Sequence, residues 1–227
     1  MKKASSKKFW NAAARENAAW YIATSFSGES EEFFESGARE VDDFLREGGV
    51  EIPADGHLLE IGAGVGRMTR RFAQLAGKVT ASDVSGEMLA RARKNLQGLA
   101  NTELLELSGD GDLPLPSQSV DAVFSYITMQ HVPTAAAQER YFAEAVRVTR
   151  PGGWVYMQFR RSGLRLRLLD WVGHVMHRAE GRQTFNRAWR GARVSEQSLT
   201  RAAGSAGRVT FHPRGRHLWA LARIEAS

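Results

Sequence analysis

Hydrophobic positions change their spacing several times along the chain, and each change marks an element. Over Lys8 to Thr24, the residues Trp10, Ala13, Ala14, Asn17 and Tyr21 recur at helical spacing in an alanine-rich stretch, which predicts a first helix. After the turn-like Ser27-Gly28-Glu29-Ser30, the residues Phe33, Phe34, Val41, Phe44 and Leu45 share one face and Gly48-Gly49 stops the second helix. The pattern then shortens: His57 to Ile61 is a compact apolar run that breaks into glycines, and Arg67 to Leu75 returns to helical spacing. Lys78 to Ser82 is a β-branched run ending at Asp83, Ser85 to Leu96 is helical, and Glu103 to Leu107 is a short strand. Val120 to Tyr126 reads as a buried strand and Thr134 to Val148 as an amphipathic helix. Trp154 to Phe159 is a strand opened by the turn Arg150-Pro151-Gly152-Gly153. Short apolar runs alternating with helices predict an α/β fold on a mostly parallel sheet, because parallel neighbours require a crossover between them.

The tail follows another rule. Arg160 to Arg193 reads as helical and basic, Ser195 to Ala206 as a capped helix, and Val209 to His212 and His217 to Ile224 as strands. Only Pro213-Arg214-Gly215-Arg216 separates the last two, so they are expected to pair antiparallel. No internal repeat or low-complexity linker interrupts the chain, and a 43% hydrophobic content suffices for one core, so a single domain is expected.

Composition removes several kinds of chemistry. The chain has no Cys, which excludes a thiolate nucleophile, a thiolate zinc site and an iron–sulfur cluster. Met1 to Lys8 is basic like the start of a signal peptide, but Arg15 and Glu16 interrupt the stretch that follows it. No apolar run approaches the roughly 18 to 20 residues of a membrane span. A cytoplasmic protein without disulfides and without integral membrane association is the expectation. The net charge of +6 is unevenly spread: Arg150 to Arg193 carries ten arginines against Asp170 and Glu180, so the excess lies mainly in the C-terminal third.

The chemistry concentrates at Glu60-Ile61-Gly62-Ala63-Gly64-Val65-Gly66-Arg67, directly after a strand and before a helix. Glycines there let the backbone turn sharply and approach a ligand without a Cβ in the way. A dinucleotide fingerprint spaces its glycines as GxGxxG to receive a pyrophosphate at a helix start; here the spacing is GxGxG, which favours a ligand without a pyrophosphate. Asp83, at the end of the next strand about twenty residues on, can accept hydrogen bonds from two ribose hydroxyls. Gly109-Asp110-Gly111-Asp112 follows the third strand, and Asp110 could accept from an adenine amino group. Asp83 alone would serve equally as a helix cap, and Asp110 and Asp112 alone as turn formers; their order and spacing favour one nucleoside held across adjacent strand ends.

From about Asp55 to Phe159 the chain resembles the class I S-adenosylmethionine-dependent methyltransferase family, in the small-molecule branch with the methyltransferase domain 11 pattern. The segments LLEIGAGVGRMT, VTASDVSGEMLARAR, LSGDGDLPLPSQSVDAVFS and EAVRVTRPGGW carry the resemblance. It implies a Rossmann-like, seven-stranded, mostly parallel sheet of order 3-2-1-4-5-7-6, with N-terminal helices and a helical insertion before the last strands. Residues 1–50 would form a helical lid, 55–159 the cofactor-binding core, 160–194 the basic insertion and 195–227 the C-terminal helix and strand pair. The resemblance implies S-adenosyl-L-methionine as cofactor. Gly62, Ala63, Gly64 and Gly66 would cradle its methionine portion, Asp83 its ribose, Val84 and Met88 its adenine faces, and Asp110 and Gly111 its amino edge. Glu60 would order the loop or attract the amino group, and Ser125 and Tyr126 would offer backbone near the methionine end.

Methyl transfer is an in-line displacement, so alignment in a dry site matters more than a base. His131, just beyond the fourth strand, is the candidate base, because neutral imidazole accepts a proton near pH 7. Its alternative role is to shape the cofactor pocket. His174, His177, His212 and His217 are further histidines that could face a substrate, and the pair 174 and 177 lacks a neighbouring metal ligand, so no metal is expected. Trp20, Tyr21, Phe34, His131 and Trp171 are the candidate acceptor contacts. Trp10, Trp20, Tyr21, Phe33 and Phe34 are expected either as a lid or as packing. Leu164 to Met176, interleaved with arginines, would suit an apolar or acidic small-molecule acceptor or a membrane surface, or would equally form a solvated basic helix face. A nucleic-acid methyltransferase is the alternative that the arginines suggest. Against it, the fourth strand ends in Ser125-Tyr126-Ile127-Thr128 and not in the Asn/Asp-Pro-Pro-aromatic motif used on base amines. A nicotinamide-dependent oxidoreductase is disfavoured by the glycine spacing.

Overall fold

The computed structural model describes residues 4–162 and 191–225. Its centre is one sheet of seven strands: β1 (His57–Ile61), β2 (Lys78–Asp83), β3 (Thr102–Glu106), β4 (Val120–Ser125), β5 (Thr149–Arg160), β6 (Gly207–Arg214) and β7 (His217–Ile224). Their order is β3-β2-β1-β4-β5-β7-β6, parallel from β3 through β5, with β7 antiparallel to both β5 and β6. The fold class expected from the sequence is therefore the one observed. The order reverses between β1 and β4. Crossovers from these two strands leave in opposite directions, so a crevice opens at their carboxyl ends.

Helices α1 (Ala4–Ile22), α2 (Glu31–Gly48), α3 (Thr69–Leu75), α4 (Gly86–Asn95), α5 (Ala135–Val148) and α6 (Glu196–Ala203) cover the sheet among the described residues. On one face Leu59, Ile61, Val123 and Met157 pack with Phe142 and Val146 of α5 and Leu199 of α6. On the other, Leu58, Phe124, Tyr156 and Trp219 pack with Val41 of α2 and Phe72 of α3. Strands covered on both faces lose alternation, which explains why β1 and β4 read as continuous apolar runs. A third cluster joins the alanine face of α1 (Ala13, Ala14, Ala18, Ala19) to Phe33, Phe34, Val65 and Met88. Alanines there let α1 lie close against its neighbours.

Side-chain oxygens start the helices where the sequence signals them. Ser30, Ser85, Thr134 and Ser195 accept from the backbone N–H groups of Phe33, Met88, Ala137 and Ser198. Left-handed Gly49 (φ 56°) closes α2.

Four details depart from the sequence reading. The helix expected from Arg67 begins at Thr69, because Gly66 holds φ at 86° and delays helical geometry. Strand β5 begins at Thr149, not Trp154: Val120 pairs with Thr149 and Ala122 with Trp154, so Arg150 to Gly153 bulge out opposite Asp121. Helix α1 is kinked at Asn17 (φ −163°, ψ 88°), whose Oδ1 caps the final turn by accepting from Trp20 N at 3.1 Å. Of the basic helix expected over Arg160 to Arg193, residues 163–190 lie outside the described residues, whereas Arg161 and Val194 form a parallel bridge and are extended.

Candidate functional site

The crevice at the β1–β4 switch point is a cleft open to solvent. Its floor is the loop after β1. The N–H groups of Gly62 and Ala63 both donate to Ser82 O, at 2.7 and 2.9 Å, which tucks the loop onto the end of β2. Gly62 has φ 84°, and a Cβ there would lie 1.9 Å from Thr128 Oγ1, so only glycine permits the approach of the β4 loop.

Two carboxylates face this floor. Asp83 ends β2 and accepts from Gly64 N at 3.0 Å and from Ser85 N at 2.8 Å. Burial still pushes its carboxyl up to about 6. Glu60, on β1, is buried and accepts from Thr69 Oγ1 at 2.6 Å. Burial carries it up to about 7, with the neighbouring Asp83 adding to the rise and Arg67 opposing it. Two acids that ionise reluctantly in one cleft stand ready to receive positive charge, since a bound cation would repay their lost hydration.

Beyond Asp83 the wall is apolar: Val84, Met88, Leu107, Gly109 and Tyr141. Opposite it, the turn after β4 contributes Tyr126, Ile127, Thr128, Met129, His131, Val132 and Pro133. Ile127 adopts φ 57°, a costly conformation for a β-branched residue, and its N–H donates to Gln158 Oε1 at 3.3 Å. Helix α1 forms the roof with Ser6, Trp10, Tyr21 and Ile22. The Trp10 ring meets His131 edge-on, centroids 5.1 Å apart. Asn11 Oδ1 accepts from Ser85 Oγ at 2.6 Å, Arg15 pairs with Glu87 at 3.0 Å, and Lys7 pairs with Glu106. These contacts fasten the roof to α4 and β3.

The model of a methyltransferase domain family matches residues 59–157, from within β1 to within β5. That stretch is similar to a methyltransferase domain. The chain is similar to demethylmenaquinone methyltransferase of Tropheryma whipplei, 32% identical over 102 residues, 45% of this chain and 41% of that protein. It is also similar to malonyl-[acyl-carrier protein] O-methyltransferase of Yersinia pestis, 33% identical over 130 residues, 57% of this chain and 44% of that protein. The matched part thus spans less than half of either relative. A solved structure of DhpI in complex with SAH superposes with a TM-score of 0.61 at 26% identity, covering 99% of this chain and 98% of that one.

The cleft brings together Glu60, Gly62, Ala63, Gly64, Asp83, Val84, Met88, Tyr126 and His131 of the residues singled out from sequence, and the roof adds Tyr21. Others stand outside it. A Cβ on Gly66 would meet Leu96 at 3.1 Å, so this glycine admits the end of α4. Ser125 is buried and its Oγ donates to Ile61 O at 2.9 Å, tying β4 to β1. Asp110 accepts from Ser108 Oγ and from Asp112 N, and Gly111 packs on α5, where a Cβ would lie 2.8 Å from Arg140 Cβ. Trp20 is 45% exposed on the outer side of α1, and Phe34 is buried under the Arg70 guanidinium, 4.4 Å from its ring centre. His212 and His217 belong to the β6–β7 hairpin and do not line the cleft. Trp171, His174 and His177 lie outside the described residues.

Trp10, one of the aromatics expected either as a lid or as packing, lines the cleft. Sequence reasoning passed over Tyr141, Thr128 and Arg67. Arg67 is 5% exposed and reaches back to α2, donating to Glu40 at 2.6 Å and to Ser36 Oγ at 3.0 Å. Tyr141 looked like any apolar position of an amphipathic helix. Among the described residues, no group of three or more His, Asp and Glu is placed to hold a metal, and no helix is long and apolar enough to cross a membrane.

Proposed function

We propose that the protein is an S-adenosylmethionine-dependent methyltransferase that methylates an oxygen or nitrogen of a small molecule. One observation carries the reading: a glycine-rich loop lies against two carboxylates, Glu60 and Asp83, both held above their ordinary range by burial. A ligand carrying an ammonium and a sulfonium fits that wall, whereas a pyrophosphate would be repelled by it. The similarity to a methyltransferase domain and the SAH-bound structural neighbour support the same choice of cofactor. When bound, the cofactor supplies an electrophilic methyl group for in-line displacement.

The residues of the chain then have distinct tasks. The backbone of Gly62, Ala63 and Gly64 receives the methionine portion, and Glu60 attracts its ammonium. Asp83 accepts from the ribose hydroxyls through the lone pairs that Gly64 and Ser85 leave open. Val84 and Met88 sandwich the adenine, and the loop carrying Asp110 and Gly111 meets its amino edge. Ser125 and Tyr126 offer backbone near the methionine end of the cofactor, and His131 takes the proton released by the acceptor. Trp10 and Tyr21 exclude water. The roof also favours a small acceptor over a folded nucleic acid, because α1 crosses the cleft that a polymer would have to enter. The wall beyond Tyr126 is mostly apolar, with Ile127, Met129, Val132 and Pro133, which suits an apolar acceptor such as the quinone that one relative's name describes.

Calorimetric titration with S-adenosylmethionine and, separately, with NADH tests the reading. Micromolar binding of the first and none of the second is expected; the reverse result would overturn it.

A further inference from the structure

The segment 191–194 is stitched between two parts of the domain. Gly191 N donates to Gln130 O at 2.7 Å and Ala192 N to Val132 O at 3.0 Å, on either side of His131. On its other flank Val194 N donates to Arg160 O at 3.1 Å, and Ser162 N donates to Val194 O at 2.8 Å. The segment therefore couples the turn after β4 to the end of β5.

Two features make this seam unusually close. A Cβ on Gly191 would lie 2.3 Å from Val132 O, 2.7 Å from Gln130 O and 2.8 Å from His131 C, all backbone atoms that cannot rotate aside. Gln138 of α5 is fully buried, and its Nε2 donates to both Val132 O at 3.0 Å and Ala192 O at 3.1 Å. One amide group thus spends both N–H donors on holding the two segments together. His131, Val132 and Pro133 all line the cleft, so what the seam holds is one wall of the proposed reaction site.

We infer that Gly191 and Gln138 are positioning residues that set the His131 imidazole in the cleft. This rests on the reading of His131 as the group nearest the acceptor. The floor that would hold the cofactor, built from Gly62, Gly64 and Asp83, is fixed separately by bonds to Ser82 and Ser85. The seam therefore acts on the acceptor side alone. A side chain at position 191 must push the 130–132 backbone away and carry the imidazole with it. Removing the amide donors at position 138 loosens the same wall without adding bulk.

Two variants, G191A and Q138M, test this by imidazole NMR of the full chain, with the His131 resonance assigned by its loss in H131N, and by calorimetry with S-adenosylhomocysteine. The expected result is a displaced or broadened His131 resonance and an unmoved His57 resonance, with nucleoside affinity within about threefold of the parent. If G191A fails to fold, Q138M carries the test. An unmoved His131 resonance in a folded variant overturns the inference, as does a loss of nucleoside affinity as large as that of D83A. Failure of the parent protein to bind the nucleoside would instead remove the proposed cofactor, while the resonance would still report on the seam.

Discussion

The carboxylate of Asp83 accepts the N–H of Gly64 at 3.0 Å, so the acid that faces the cleft also fixes the middle glycine of the loop beneath it. Side chain and loop are one device: β2 ends where the β1 loop needs an anchor. A substitution at Asp83 therefore removes the proposed ribose contact and releases the loop together.

In D83A the expected loss of S-adenosylhomocysteine affinity is about 100-fold. Hydrogen bonds to a charged acceptor contribute roughly 1.5 to 3 kcal/mol each, and two ribose hydroxyls at the lower figure give about 3 kcal/mol. Isothermal titration checks it, and unchanged affinity would refute the ribose assignment.

Protonation of the same wall sets a pH dependence. Glu60 is raised from 4.5 to about 7 and Asp83 from 3.8 to about 6, so the folded chain holds these protons more tightly than the unfolded chain does. Their contribution to stability is full below about pH 4 and is lost as pH rises through 6 to 7, by roughly 3 kcal/mol at most for Glu60. Urea unfolding of the ligand-free protein at pH 5 and pH 8 should show this fall, and E60Q should flatten it. Affinity for S-adenosylmethionine runs the other way, rising between pH 5.5 and 7.5 as the acids ionise. A flat affinity profile would detach both carboxylates from the cation.

Two left-handed glycines separate backbone strain from close approach. Gly98 (φ 91°) has nothing within 4 Å of a Cβ position, whereas at Gly62 (φ 84°) the Cβ would strike Thr128. G98A should cost about 1 to 2 kcal/mol, the left-handed penalty alone, and keep nucleoside affinity. G62A should cost at least about 2 kcal/mol more and lose binding, because the Tyr126 to Thr128 turn must retreat. Equal destabilisation of the two variants in urea would show that the β4 loop yields freely.

In H131A nucleoside affinity should stay within a few-fold, because the floor and Asp83 are untouched. Release of S-adenosylhomocysteine in the presence of an acceptor should slow by about 10²- to 10⁴-fold, the usual contribution of a positioned base. Unchanged turnover would reduce His131 to a wall residue that packs on Trp10.

Much of this site was legible because it is local. Gly62, Gly64 and Asp83 belong to one strand–helix–strand unit, in which the loop after the first strand and the tip of the second are neighbours by geometry, so spacing alone relates them. The strand boundaries of β1 and β7 and the pairing of the final hairpin were equally plain, being matters of apolar runs and a short turn. The sequence could also mark α1 and α2 as amphipathic. The stripe of α1 held Trp10 and Tyr21, but helical periodicity could not say what lies opposite it. In the structure Trp20 is exposed and Trp10 lies over His131. Tertiary packing likewise made Gly66 a seat for Leu96, tied Ser125 to β1, and drew Gly191 against the backbone around His131. Those last contacts join residues far apart in the chain, where no repeat or spacing carries information and only close packing between separate elements brings them together.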